Sequence, residues 1–293
     1  TGALRLTDEP VVVQQHRQRP AEDWVDDGRC EDADPRGLRI GRFPHQLHAR
    51  LQQRQEHADE QRDAHDRPPD RDVHRVTGDG HDDAINNGAL DNASGISVML
   101  ETARMFTKSD APRRSVLFLA VTAEEKGLVG SEYFAQNPTV PAEKMAAVVN
   151  LDMPLLLYDF ADVIAFGAEH SSLGDTVRQA AEQADVALTP DPFPEQNIFV
   201  RSDHYRFVQQ GVPSVFLVTG TQSRDENVNA QELFDGFLKE HYHRPSDEVT
   251  LPIDYNAAAR FTRINFDIGE RVANELERPR WHEGDFFGET FGR

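Results

Sequence analysis

One cysteine, Cys30, is all that the 293 residues contain. A lone cysteine excludes an internal disulfide and any zinc site built from thiolates. A bound metal must then be held by His, Asp and Glu, a donor set that suits zinc, manganese or cobalt. Long apolar runs are missing too. None approaches the roughly 20 residues that a membrane span needs. No signal-peptide pattern stands at the start, and a chain opening on Thr1 reads as processed or truncated. Basic residues are scarce relative to acidic ones, 31 against 51, for a formal charge of −20. Nucleic acid and anionic membranes recruit basic patches, so neither is expected as a partner. The acidity itself serves solubility.

A further lack is local. Residues 1 to 78 contain no lysine and no tyrosine, and almost no apolar periodicity follows Val13. The stretch is dense in Arg, His, Asp and Gln; Gln46 to Arg62 suggests a polar helix with little face to bury. Such text reads as an irregular, disordered segment. It is also what a GC-rich coding sequence yields when translated out of frame. Domain organisation is therefore expected as an irregular segment over 1–78 and a folded domain over 79–293.

From Gly78 onwards the pattern changes. GDGHDDAINNGA supplies turn chemistry. Asn92 to Phe106 places Ile96, Met99, Leu100, Ala103 and Met105 near helical period. Ser115 to Thr122 is a continuous apolar run, expected as a strand covered on both faces. Further strands are expected at 145–151, 162–166 and 215–219. Helices are expected at 128–136, 171–185, 202–210 (capped by Ser202 or Asp203), within 224–241, and at 254–276 with an Asp254 cap. The tail after Glu277, carrying Trp281, Phe286, Phe287 and Phe291, is expected to pack back on the domain. Alternation of strands and helices without repeats means an α/β fold.

Polar residues gather at the ends of these elements. Asp91 opens a helix, Glu124 and Glu125 follow the strand Ser115–Thr122, Asp152 ends the next strand, and His243 lies in KEHYHRPSDE. Open α/β sheets build their sites at such carboxyl ends. Adjacent carboxylates repel, which raises a pKa unless a cation lies between them. A hydrolytic metal site needs ligands from several rigid elements and a carboxylate outside the ligand set to take a proton from water. Glu124 and Glu125 can divide those labours. Asp247, four residues past His243, is placed to accept the imidazole's second N–H and fix its tautomer.

NGALDNASG, RRSVLFLAVTAEEKGLVGS, VVNLDM, RSDHYRFVQQGVP and HYHRPSD occur in that order. Together they closely resemble the two-zinc aminopeptidase family, which includes bacterial leucyl aminopeptidases and relatives of the glutamate carboxypeptidases. The likeness spans roughly residues 79 to 276. It implies a mixed, mostly parallel sheet of eight strands sandwiched by helices. It also implies two zinc ions, a peptide substrate and hydrolysis of N-terminal peptide bonds. By motif, Asp91 bridges both metals, Glu125 and His243 complete one site, and Asp152 serves the other. Glu124 is the general base, and Ser202, Asp203 and His204 line the substrate pocket. Members are often exported, so a periplasmic or secreted location is implied.

One piece of the family pattern is absent, a histidine of an H-x-D motif ending an apolar strand some twenty residues before the bridging Asp. His81 matches in letters but lies ten residues before Asp91, and His74 is better spaced but lacks the Asp. Without that ligand the ion shared by Asp91 and Asp152 is expected to be weakly held. Two alternatives use the same fold: a single-zinc glutaminyl cyclase, and a binding protein on a weakened peptidase domain. DNASG and NLDM favour the peptidase over the cyclase, and the intact Glu124–Glu125 pair opposes the binding protein.

Overall fold

The computed structural model describes residues 7–17 as backbone and 87–292 in full. A six-stranded sheet organises them: β1 (Thr7–Arg17), β2 (Arg114–Thr122), β3 (Ala147–Leu151), β4 (Asp162–Phe166), β5 (Ala187–Thr189) and β6 (Ser214–Thr219), in the order β2-β1-β3-β6-β4-β5. β2, β1, β3 and β6 run parallel, and β4 with its parallel neighbour β5 runs against them. This is the mixed, mostly parallel sheet expected, with six strands among the described residues instead of eight.

Within the amino-terminal segment expected to be irregular, Thr7–Arg17 form the strand β1. Val11–Gln15 pairs with Ala147–Leu151 of β3, and Val11–Arg17 pairs with Val116–Thr122 of β2. A run of three valines, Val11 to Val13, was signal enough for a strand. The polar QQHR that follows it hid the strand's true length. Residues 18–86, including His74, His81 and the start of the folded domain at 79, lie outside the described residues.

Helices cover both faces because the strands alternate. Val149 and Leu151 of β3, Val215 and Leu217 of β6, and Val163 and Ala165 of β4 point to one side. There they pack with α1 (Gly95–Phe106), α3 (Leu173–Gln183), α5 (Ala230–Glu240) and α6 (Tyr255–Asn274). Fully buried Phe237, Phe261 and Ile264 fill this layer, each worth roughly 1.5–3 kcal/mol of transfer free energy. The other side divides into two smaller clusters. Val148, Phe207 and Val212 meet Phe134 of α2 (Val129–Gln136). Ile164, Phe166, Phe199, Phe216 and Val218 meet the carboxy-terminal Trp281, Phe287 and Phe291. Phe207 and Val208 belong to α4 (Tyr205–Val208), and Phe287 and Phe291 to α7 (Phe286–Phe291). The tail packs back as expected, although Phe286 itself is exposed.

Several local readings shift by a residue or a face. In α1 the inward positions are Gly95, Val98, Met99 and Thr102, whereas Leu100 is exposed. β2 is the outermost strand among the described residues, so Val116 to Leu119 are half-buried and not covered on both faces. β5 escaped notice because three residues carry no periodicity. Asp254 caps α6 as expected, its Oδ1 accepting from the amides of Asn256 and Ala257. The cap expected from Ser202 or Asp203 is not made.

Candidate metal centre

Strand connectivity sets the location. From β1 the chain passes to β2 on one side and later to β3 on the other, a switch point where the carboxyl ends diverge and leave a crevice. Glu124 and Glu125 follow β2 in a tight turn entered through Ala123, whose φ is 59°. Asp152 follows β3 directly. Asp91 is carried by the wide helical turn Ala89–Ser94 that leads into α1, and the Asp91–Asn92 peptide bond is cis.

Asp91, Glu125 and His243 come together, with one ligand atom from each lying within 4.8 Å of the others. His243 Nε2 is 2.7 Å from Glu125 Oε1 and 3.2 Å from Asp91 Oδ2. Apart from this ion pair, the buried Asp91 Oδ2 has no hydrogen-bond partner among the described residues. An unpartnered buried carboxylate oxygen is costly and calls for a cation. His243 holds a left-handed backbone, φ 56°, and its ring stacks on Tyr242 at 3.7 Å. The contact with Asp91 and the neighbouring Glu125 raise its pKa against the cost of burial.

Asp152 is fastened from two sides. The Ser202 hydroxyl donates to Asp152 Oδ2 at 2.7 Å, and Asn150 Nδ2 donates to Ser202 Oγ at 2.8 Å. Asn92 straddles it: its Nδ2 donates to the Leu151 carbonyl at 3.1 Å, and its Oδ1 accepts from the Met153 amide at 3.0 Å. Burial and then the Asp91 charge push the Asp152 carboxyl well above the usual range. Glu124 is pushed up to about 9, first by burial and then by Asp152, Asp203, Glu125 and Asp91. Carboxylates facing one another this closely, with His243 the nearest counter-charge, match a divalent metal better than any neutral ligand.

Asp247 does a different job from the one expected. Its Oδ1 and Oδ2 accept from the backbone amides of Leu90 and Asp91, each at 2.9 Å. It therefore holds the turn that carries Asp91, and the His243 tautomer is not its concern. Ser202, Asp203 and His204 are all buried. Of the three, Ser202 makes a hydrogen bond to a site carboxylate, and Asp203 acts on Glu124 and Asp152 through its charge. Asp203, pushed up to about 6 by burial, has no hydrogen-bond partner for either oxygen among the described residues, although the nearby Ser131 hydroxyl and Arg206 oppose the rise. His204 is sandwiched by the rings of Phe199 and Phe216 at 5.1 and 5.5 Å.

Two contributions escaped the sequence reading. Asn92 and Tyr242 stood beside marked residues but carried no signal of their own. Backbone register places position 16 opposite Val121, one residue from the end of β1, between the strands that deliver Glu124 and Asp152.

The pattern of peptidase family M28 matches residues 65–268, most of the chain. The chain belongs to peptidase family M28. Among curated relatives, the probable leucine aminopeptidase 2 of Aspergillus fumigatus is 31% identical over 185 residues, covering 58% of this chain and 36% of its own. Aminopeptidase YwaD of Bacillus subtilis is 30% identical over 169 residues, covering 55% and 33%. A solved aminopeptidase from Aneurinibacillus sp. strain AM-1 superposes with a TM-score of 0.50 at 23% identity, covering 66% of this chain and 42% of that one. The chain thus spans about a third of the length of these curated M28 relatives.

Proposed function

We propose that this M28 chain is a zinc-dependent exopeptidase that hydrolyses N-terminal peptide bonds. The observation that carries the reading is the Asp91–Glu125–His243 cluster, its ligand atoms within 4.8 Å, at one mouth with the non-ligand Glu124. Asp91, Glu125 and His243 would hold one ion. Asp91 and Asp152 would hold the other. Zinc, when bound, supplies Lewis acidity that acidifies a water and polarises the scissile carbonyl.

The chain's own residues do the rest. With the neighbouring carboxylates neutralised, Glu124 ionises and takes the water's proton, then returns it to the departing amine. Tyr242 keeps its proton, because burial and the surrounding Asp91, Glu125, Asp152 and Glu124 raise its pKa far above the ordinary phenol. It is therefore a neutral donor beside the place where negative charge develops. Ser202 and Asn92 hold Asp152 still, and Asp247 holds Asp91.

Metal content of the purified chain, together with release of free leucine from a leucyl peptide, tests the proposal. Zinc at or above one per chain with leucine release supports it. No metal after zinc loading, or no release from the zinc-loaded chain, would sink it.

A further inference from the structure

The carboxy-terminal segment has no role in the chemistry above, yet it is fastened at many points. The Ser172 amide donates to the Arg280 carbonyl at 2.9 Å, and the Arg280 amide donates to Ser172 Oγ at 3.0 Å. The His282 amide donates to the His170 carbonyl at 3.0 Å, and Trp281 Nε1 donates to the Gly211 carbonyl at 3.0 Å. Asp285 divides its carboxylate. Oδ1 accepts from the Phe287 and Gly288 amides at 2.9 and 3.1 Å, which starts α7, while Oδ2 lies 2.7 Å from His170 Nδ1.

These ties deliver one ring. Phe287 packs edge-on against His170 at 4.7 Å and Phe199 at 5.0 Å. Phe199 is seated over Gly167, where an added Cβ would lie 2.1 Å from the ring, and on its other side it meets His204. Neither ring nitrogen of His204 makes a hydrogen bond among the described residues. Burial lowers its pKa to about 3, and the Phe199 carbonyl, beyond hydrogen-bonding geometry, pulls weakly the other way. Among the described residues, the rings of Phe199 and Phe216 pack against this imidazole. Two residues earlier, Ser202 makes its 2.7 Å hydrogen bond to Asp152.

We propose that the segment Arg280–Phe291 is a buttress for the metal centre. Phe287, held by the Asp285–His170 pair, fixes residues 197–204 through Phe199 and His204, and so keeps Ser202 on Asp152. Phe287, Asp285 and His170 are positioning residues acting through Ser202. The inference rests on the reading of Asp152 as a metal ligand.

Cobalt(II) is the probe, titrated into the full chain with its d–d absorbance and affinity read at a temperature well below unfolding. Ser202→Ala should weaken the cobalt held with Asp152 by about 10–100-fold, the usual cost of losing a hydrogen bond to a metal ligand. Phe287→Ala should weaken it by about 2- to 10-fold, the equilibrium factor that aromatic pairs carry. The double variant should bind no more weakly than Ser202→Ala alone, and Phe287→Tyr should restore the parent affinity. Asp285→Asn, which keeps the helix cap, is the milder companion and should show a smaller loss in the same direction. Additive losses in the double variant, or a lowered melting temperature with unchanged cobalt affinity in Phe287→Ala, would make the segment a structural clasp and overturn the buttress. A response to Asp152→Asn and Ser202→Ala with none to Phe287→Ala removes the buttress and leaves the metal reading intact. No response even to Asp152→Asn removes both.

Discussion

The two halves of the candidate centre are built on different physical plans. In the half made by Asp91, Glu125 and His243, the side chains hold one another, while Asp247 holds only the backbone that carries Asp91. His243 leans on both carboxylates, and its side chain is 38% exposed, Glu125's 30%. In the half at Asp152, the member is held by residues outside the ligand set: Ser202, Asn150 and Asn92. The first half must exchange its internal ion pairs for bonds to a metal. The second is already oriented. A preorganised second half and an adaptable first half fit a metal centre with one fixed side and one yielding side.

The strongest way to break that comparison is to remove what the halves share. Glu124→Gln should lower peptide hydrolysis by about 10²–10⁴-fold while both metals stay bound, since the amide keeps the shape but cannot take a proton. Activity within a few-fold of the parent would take Glu124 out of the mechanism. Asp91→Ala should cost more metal than any other single change, because both halves use it, as metal analysis after dialysis would show. Retention of full stoichiometry would mean that Asp91 bridges nothing.

Single-half variants sharpen the contrast. His243→Ala should empty the adaptable half, and Asp152→Ala the preorganised one, each leaving close to one metal per chain. If Asp152→Ala leaves two, Asp152 is not a ligand. Asp247→Asn should weaken metal binding about 10–100-fold by loosening the Asp91 turn, read as a shift in a zinc competition titration.

The smallest effect is on stability. Glu124 rises from 4.5 to about 9 and Asp203 from 3.8 to about 6, with burial the leading cause for both. Asp152 and His243 are raised as well. Between unfolded and folded values the native state binds more protons, so the stability that these groups contribute is fullest below about pH 4 and is lost as pH rises towards 9. Thermal melts of the metal-free chain in chelator should therefore fall from pH 5 to pH 9, and added zinc should flatten the curve. A melting temperature that climbs with pH in chelator would show that these carboxylates are not crowded.

Much of this was legible in the residues. Apolar runs located β2, β3, β4 and β6, and carboxylates at their ends located the chemistry, because a buried strand can end in adjacent acids only where something positive is expected. What failed depended on partners distant in the chain. Asp247 looks like a companion to His243 four residues away, but its partners are the amides of Leu90 and Asp91. Ser202 looks like a helix cap and is instead bonded to Asp152. β1 was missed because its second half is polar, and a strand between two parallel neighbours owes its place to their backbones as much as to its own side chains.

The hydrogen bonds from Leu90 and Asp91 to Asp247 join positions 157 and 156 residues apart. At a ribosomal pace of roughly 5–20 residues per second, His243 is made about 8–30 s after Asp91. Asp91, Glu125 and Asp152 thus leave the ribosome as mutually repelling acids, with neither the imidazole nor the Asp247 brace yet made. A nascent chain ending near residue 240 should hold no tightly bound zinc at the Asp91–Glu125 pair, and one extended past Asp247 should acquire it. Metal capture at this pair then waits for His243, and a chain cut short before His243 should remain metal-free.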